Sequence, residues 1–164
     1  MEIKRGERSK TNRKIASRFV IRTSGKTERV LLVLLLVIGV AHYAGLINRW
    51  YWSVFWYDIP LHILGGLWIG LLFFYLFEAR FRFLSLGRTL KDYIFLFFLV
   101  LGFVSFFGIL WEFFEYFGDV FFVKKGYAAI LQEGIADTLG DFLNDLLGGF
   151  LALNVRFFSK NDHR

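Results

Sequence analysis

Four runs of apolar residues, each long enough to cross a bilayer as a helix, constrain this chain more than any other feature. They cover about Val30–Ile47, Asp58–Glu78, Tyr93–Phe117 and Ile135–Phe158, and a hydrocarbon core needs roughly 20 helical residues. The runs lack the two-residue alternation of a membrane barrel, so helices are the spans that satisfy every backbone N–H and C=O. A soluble domain of 164 residues, 56% of them hydrophobic, has too little interior to hide runs of this length. The expected fold is an all-α membrane protein, a bundle of about four transmembrane helices in one domain. Residues 1–29 read as a basic tail, 30–158 as the helical domain and 159–164 as the C-terminal end.

The distribution of Lys and Arg orients the bundle. Ten lie in the tail, four between Arg80 and Lys91, and three at the C-terminal end (Arg156, Lys160, Arg164), whereas the opposite side has Arg49, Lys124 and Lys125. This imbalance predicts cytoplasmic termini in the cytoplasmic (inner) membrane, with loops 48–57 and 118–134 outside. The net charge of +6 is thereby explained as a topology signal, and no nucleic-acid partner is expected. The tail does not read as a cleaved signal peptide, because the apolar run after it is too long for one. A short interfacial helix is expected around Ile15 to Arg22. Trp50, Tyr51, Trp52, Trp56 and Tyr57 suit an aromatic belt at the outer interface.

With no cysteine, disulfides, thiolate metal sites and cysteine nucleophiles are excluded. No phosphate-binding glycine loop, serine elbow or histidine-rich desaturase pattern is present. The chemistry-bearing residues are carboxylates. Asp58 and His62 open the second run at i, i+4. Glu112 and Glu115 close the third at i, i+3, with Asp119 beyond them. Asp137, Asp141 and Asp145 open the fourth as an i, i+4, i+8 ladder beside Asn144. Each set falls on one side of its helix, and the orientation above delivers all three to the outer part of the membrane, with His42 close enough to join. Asp58, Glu112, Glu115, Asp137, Asp141 and Asp145 have no Lys or Arg near them in the apolar runs to neutralise them, since Arg156 lies at the far end of the fourth. Like charges so close in a low dielectric cannot all stay ionised. Shared protons, a bound cation or a water-filled cavity must relieve them.

Simpler roles compete for the same residues. Asp58, with Pro60 behind it, suits a helix N-cap, and Asp137 suits the same role one helix on. A lone histidine is more often a packing residue than a ligand, and interhelical hydrogen bonding would occupy carboxylates equally well. Asp141 and Asp145 resist these readings, because they lie one and two turns inside the span. Gly65, Gly66 and Gly70, with Gly148 and Gly149, are expected to allow close helix packing, and Gly102 and Gly108 likewise.

The chain resembles the VanZ-like membrane proteins, and more closely their YjdF-type relatives, over roughly residues 30 to 155. Asp58-Ile59-Pro60-Leu61-His62 is similar to the family's Asp-x-x-x-His at the start of a span. Trp111-Glu112-Phe113-Phe114-Glu115 with Asp119 is similar to its paired acids, and Asp137-Thr138-Leu139-Gly140-Asp141 through Asn144-Asp145 to its Asp-Thr-x-x-Asp pattern. The resemblance implies a helical membrane protein with an acidic site, and some members are associated with glycopeptide antibiotic tolerance. It implies no particular reaction. Relatives often carry Lys or Arg where this chain has Ile59, which favours a cation or protons in that place.

The expectations are then specific. Asp58, His62, Glu112, Asp141 and Asp145 are the candidate ligands of a divalent cation of undetermined identity, and Glu115 or Asp137 the candidate general base. The partners are membrane lipid and a lipid-linked substrate, with a homo-oligomer left open. A metal-dependent hydrolase or transferase acting on lipid stands first. A non-enzymatic accessory protein and a cation- or proton-binding, transport-like protein are the alternatives.

Overall fold

A computed structural model describes residues 25–80, 89–122 and 134–159, and these residues are helical almost throughout. The outer part of the basic tail with its expected interfacial helix, the loop lysines Lys124 and Lys125, and residues 160–164 lie outside them. Helix α1 is Gly25–Ile47, the short α2 is Trp50–Ser53, α3 is Asp58–Phe74, α4 is Leu90–Phe122 and α5 is Ile135–Ser159. Helix α3 runs on into a wider π-helical turn, Tyr75–Arg80.

Three segments are long and apolar enough to cross a membrane: Gly25–Ile47, Asp58–Glu78 and Leu90–Phe121. Helix α5 has the length, 25 residues, but carries Asp137, Asp141, Asp145 and Arg156. It is apolar on one side. Leu139, Leu143, Leu147, Leu151 and Val155 point outward and exposed, while Asp141, Asp145, Gly148, Gly149, Ala152 and Leu153 are buried against its neighbours. That is the arrangement a helix with intramembrane polar groups needs, because the polar stripe must face the bundle.

Helices α3 and α5 form the tightest pair, and glycine is the reason. A Cβ on Gly66 would overlap the Asp145 carbonyl, and one on Gly148 would overlap the backbone of Ile63 and Leu67. One turn on, a Cβ at Gly70 would come within 2.6 Å of the Ala152 methyl. Small residues four apart let the two backbones touch, which is how helices associate where lipid is as apolar as leucine. The expectation for Gly66, Gly70, Gly148 and Gly149 is met. Gly102 differs, since nothing lies within 4 Å of where its Cβ would be.

A core of Phe73, Phe74, Val100, Val104 and Leu153 fills the space between α3, α4 and α5. At the end of the bundle near Arg156, its guanidinium pairs with Glu78, and the Tyr93 hydroxyl donates to Asn154 Oδ1 at 3.3 Å. Helix α1 rests on α3, where the Trp68 indole donates to the Leu31 carbonyl at 2.8 Å. It makes no comparable packing against α4.

Candidate functional site

The opposite end of the bundle gathers the first turns of α3 and α5 and the last third of α4. Asp58 is the first residue of α3, and no side chain caps that helix. It is therefore not the N-cap its position suggested: its carboxylate turns along the helix to His62. Asp137 likewise sits within the first turn of α5, where a carboxylate is favoured by the helix dipole.

His62 is the centre of the site. Its Nε2 lies 3.5 Å from Asp58 Oδ2 and 3.6 Å from Asp141 Oδ1, while its Nδ1 lies 3.3 Å from Asp145 Oδ1. His62, Asp141 and Asp145 are only 5–6% exposed. Among the described residues no Lys or Arg pairs with any of these four groups. Even with His62 protonated, three ionised carboxylates would leave two uncompensated negative charges in a buried place, so protons or a cation must balance them.

The two faces of the imidazole are not equivalent. On the Nε2 side, one atom each from Asp58, His62 and Asp141 lie within 4.8 Å of one another. The separations from Nε2, 3.5 Å to Asp58 and 3.6 Å to Asp141, are ones that two donor atoms of a single ion can have. On the Nδ1 side, Asp145 holds the ring. Its carboxylate fits because Gly65 and Gly108 flank it: a Cβ on Gly108 would come within 2.8 Å of Asp145 Oδ2, and one on Gly65 within 3.8 Å of Oδ1. Gly108 was expected to admit a neighbouring helix, and what it admits is this carboxylate together with the Phe142 ring.

Glu115 is buried nearby, and the Trp111 indole donates to its Oε1 at 2.9 Å. His42 joins the group through aromatic neighbours. Its Nδ1 shares a 2.7 Å hydrogen bond with the Tyr51 hydroxyl, and its ring meets Trp111 edge to face. Burial, with Asp58 and Tyr57 adding to it, pushes the Tyr51 hydroxyl well above the ordinary phenol range, so it stays protonated and able to donate. Tyr51 and Trp111 are the residues that sequence reasoning undervalued. Trp111 is legible at i, i+4 from Glu115. Tyr51 was absorbed into the interfacial belt, and its tie to His42 depends on how loop 48–57 folds back.

Asp58, His62, Asp145, Glu115, His42 and Tyr51 form the polar end of a cavity of about 350 Å³, within the size range of small-ligand sites. Each of three helices lines it with one face. Helix α1 gives Leu35, Ile38, Gly39 and His42. Helix α3 gives Asp58, Leu61, His62, Gly65, Trp68 and Ile69, and α4 gives Phe107, Gly108, Trp111 and Glu115. Asp145 completes the polar end from α5.

The structure thus brings together Asp58, His62, Asp141, Asp145 and Glu115. Asp141 joins through its approach to His62 Nε2 and stands behind the cavity lining, whereas the half-buried Glu112 and Asp137 neither line the cavity nor appear among the ion-pair partners of His62. The family model described as predicted membrane protein (DUF2238) matches residues 15–162. No curated protein and no solved structure matches the chain.

Proposed function

The chain belongs to the DUF2238 family of predicted membrane proteins, and we propose that its acidic cluster is a divalent-cation site serving a membrane hydrolase or transferase whose substrate is a lipid or lipid-linked molecule. The observation that carries this reading is a buried histidine ringed by three carboxylates, two of which, Asp58 and Asp145, line with it the polar end of an otherwise apolar cavity.

Asp58, His62 through Nε2, and Asp141 hold the cation. Asp145 receives the proton on His62 Nδ1, fixing the tautomer and the ring, a common arrangement behind a metal-bound histidine. One nitrogen and two carboxylate oxygens suit Zn²⁺, Mn²⁺ or Fe²⁺ better than Ca²⁺, which takes oxygen ligands. A cation held there would supply Lewis-acid chemistry, and of the two general-base candidates Glu115 is the one that lines the cavity and would take that role. Asp137 and Glu112 remain outside it. The Lys and Arg distribution supports cytoplasmic termini in the cytoplasmic membrane, with the site at the outer leaflet. The likeness of Asp58–His62 and Asp137–Asp145 to the VanZ-like motifs agrees with an acidic site in these positions. Every residue of the site comes from one chain, so the reading needs no second copy.

A transport reading has less support. Below the site, α3 and α5 touch backbone to backbone at Gly66 and Gly148, and the aromatic core follows. The test is elemental analysis of detergent-purified protein beside an Asp58→Asn/Asp141→Asn variant. About one cation per chain is expected in the wild type, absent from the folded variant, with lipid-hydrolase or transferase activity lost alongside it. Metal-free protein as active as the loaded form would end the enzyme reading.

A further inference from the structure

The carboxylates and histidines of the cavity lining lie toward one end, and along α3 the lining runs from Asp58 to Ile69. From Asp58 to Trp68 along α3 is about 15 Å at the rise of an α-helix, and beyond Glu115, His62 and Asp145 the lining is apolar. The floor is fixed. Trp68 cannot swing freely, because its indole is hydrogen-bonded across to the Leu31 carbonyl of α1 at 2.8 Å. The side wall is thin. Among the described residues, helix α1 packs on α3 without comparable packing on α4, and the ring contact between His42 and Trp111 bridges α1 and α4 at the acidic end. Along this wall Gly39 offers no side chain, with nothing within 4 Å of where one would start. The acidic end also adjoins α2, whose Tyr51 bonds His42 and lines the cavity, within the aromatic belt expected at headgroup depth.

We infer that the apolar arm of the cavity is a subsite for one hydrocarbon chain of a membrane lipid, entering sideways from the bilayer between α1 and α4 past Gly39 and ending on Trp68. The inference rests on the reading that the acidic end acts on a lipid, and it supplies the way such a molecule is held. A lipid of the nearer leaflet already stands with its headgroup at the level of Asp58 and His62 and its chain pointing toward the bilayer centre. It moves laterally into the cavity without turning over and without lifting its chain through water. The length from the acidic groups to Trp68 then selects the chain, which makes Trp68 a specificity-determining residue.

The test uses full-length protein in phosphatidylcholine vesicles containing lauric acid with a diazirine at the chain end. After illumination, peptide mass spectrometry locates the label. Labelling of Trp68 or Phe107 that excess unlabelled lauric acid suppresses is expected, beside unsuppressed labelling of the lipid-facing Phe98. Gly39→Trp, which places an indole in the opening, is expected to abolish the suppressible labelling and leave that of Phe98. Leu35→Trp serves the same purpose if the first variant fails to fold. Trp68→Ala is expected to shift the preferred competitor from lauric to palmitic acid. Label confined to lipid-facing residues, or suppressible label unchanged in both tryptophan variants, would overturn the inference. Metal content of the same preparations separates the two readings. Metal-loaded protein without suppressible labelling removes the chain subsite and keeps the cation site, whereas labelled but metal-free protein does the reverse.

Discussion

His62 has contrasting surroundings on its two nitrogens, and the contrast makes its neighbours separable by mutation. Asp58 and Asp141 share the Nε2 side, while Asp145 alone holds Nδ1. If a cation sits on the Nε2 side, Asp141→Asn removes a ligand and Asp145→Asn only loosens the ring. Asp145→Asn should then weaken metal binding by about 10–100-fold, the usual loss when the partner behind a ligating histidine goes. Asp141→Asn should reduce binding further, and metal titration against a competing chelator measures both. Equal losses in the two variants would make Asp145 a ligand. Binding should also weaken as pH falls, because the carboxylates and imidazole must shed protons to ligate. Proton release measured during metal addition checks that sign.

The pairing of α3 with α5 depends on the absence of two side chains. Gly66→Ala and Gly148→Ala each drive a methyl into the opposing backbone, and overpacking of this kind costs about 1–3 kcal/mol. Gly102→Ala, with open space around it, should be neutral or stabilising by up to about 1 kcal/mol, since alanine is the better helix former. Thermal unfolding in detergent distinguishes these outcomes, and similar shifts for Gly66→Ala and Gly102→Ala would refute the close seam. At the other end, Glu78 and Arg156 are about three-quarters covered. Arg156→Leu should therefore destabilise more than Glu78→Gln/Arg156→Leu, because the single change leaves a partly buried carboxylate behind. A double-mutant cycle reads the coupling.

For the molecule as a whole, orientation in the bilayer is the property on which the choice of leaflet depends. The chain has no cysteine, so single-cysteine variants report without a background. Ser53→Cys, in exposed α2, should react with a membrane-impermeant thiol reagent added to intact cells, and Lys10→Cys should react only after lysis. The reverse pattern would move the site to the inner leaflet. Metal removal should act on the entire bundle as well. If Asp58 and His62 of α3 and Asp141 of α5 share a cation as proposed, a chelator should lower the unfolding temperature of wild-type protein by mass action and leave Asp58→Asn/Asp141→Asn unaffected.

Bilayer-length helices were legible along the chain because membrane insertion depends on apolarity summed over a local segment. The acidic level was legible too: once three helix ends are set on one side, Asp58, Glu115 and Asp141 must arrive at similar depth. Helix rotation was not. Glu112 and Glu115 stand three residues apart, each beside aromatic residues, and nothing local says which one turns toward His62. Only the packing of α4 on α5 puts Glu115 in the cavity and leaves Glu112 beside it. Asp137 shares a helical stripe with Asp141 and Asp145, yet it does not line the cavity. The split roles of the His62 nitrogens, the room that Gly65 and Gly108 make for Asp145, and the Trp68 floor have the same origin. Each is a contact between residues far apart in the chain, fixed by how closely the glycine faces of α3 and α5 approach and by how α1 leans on α3.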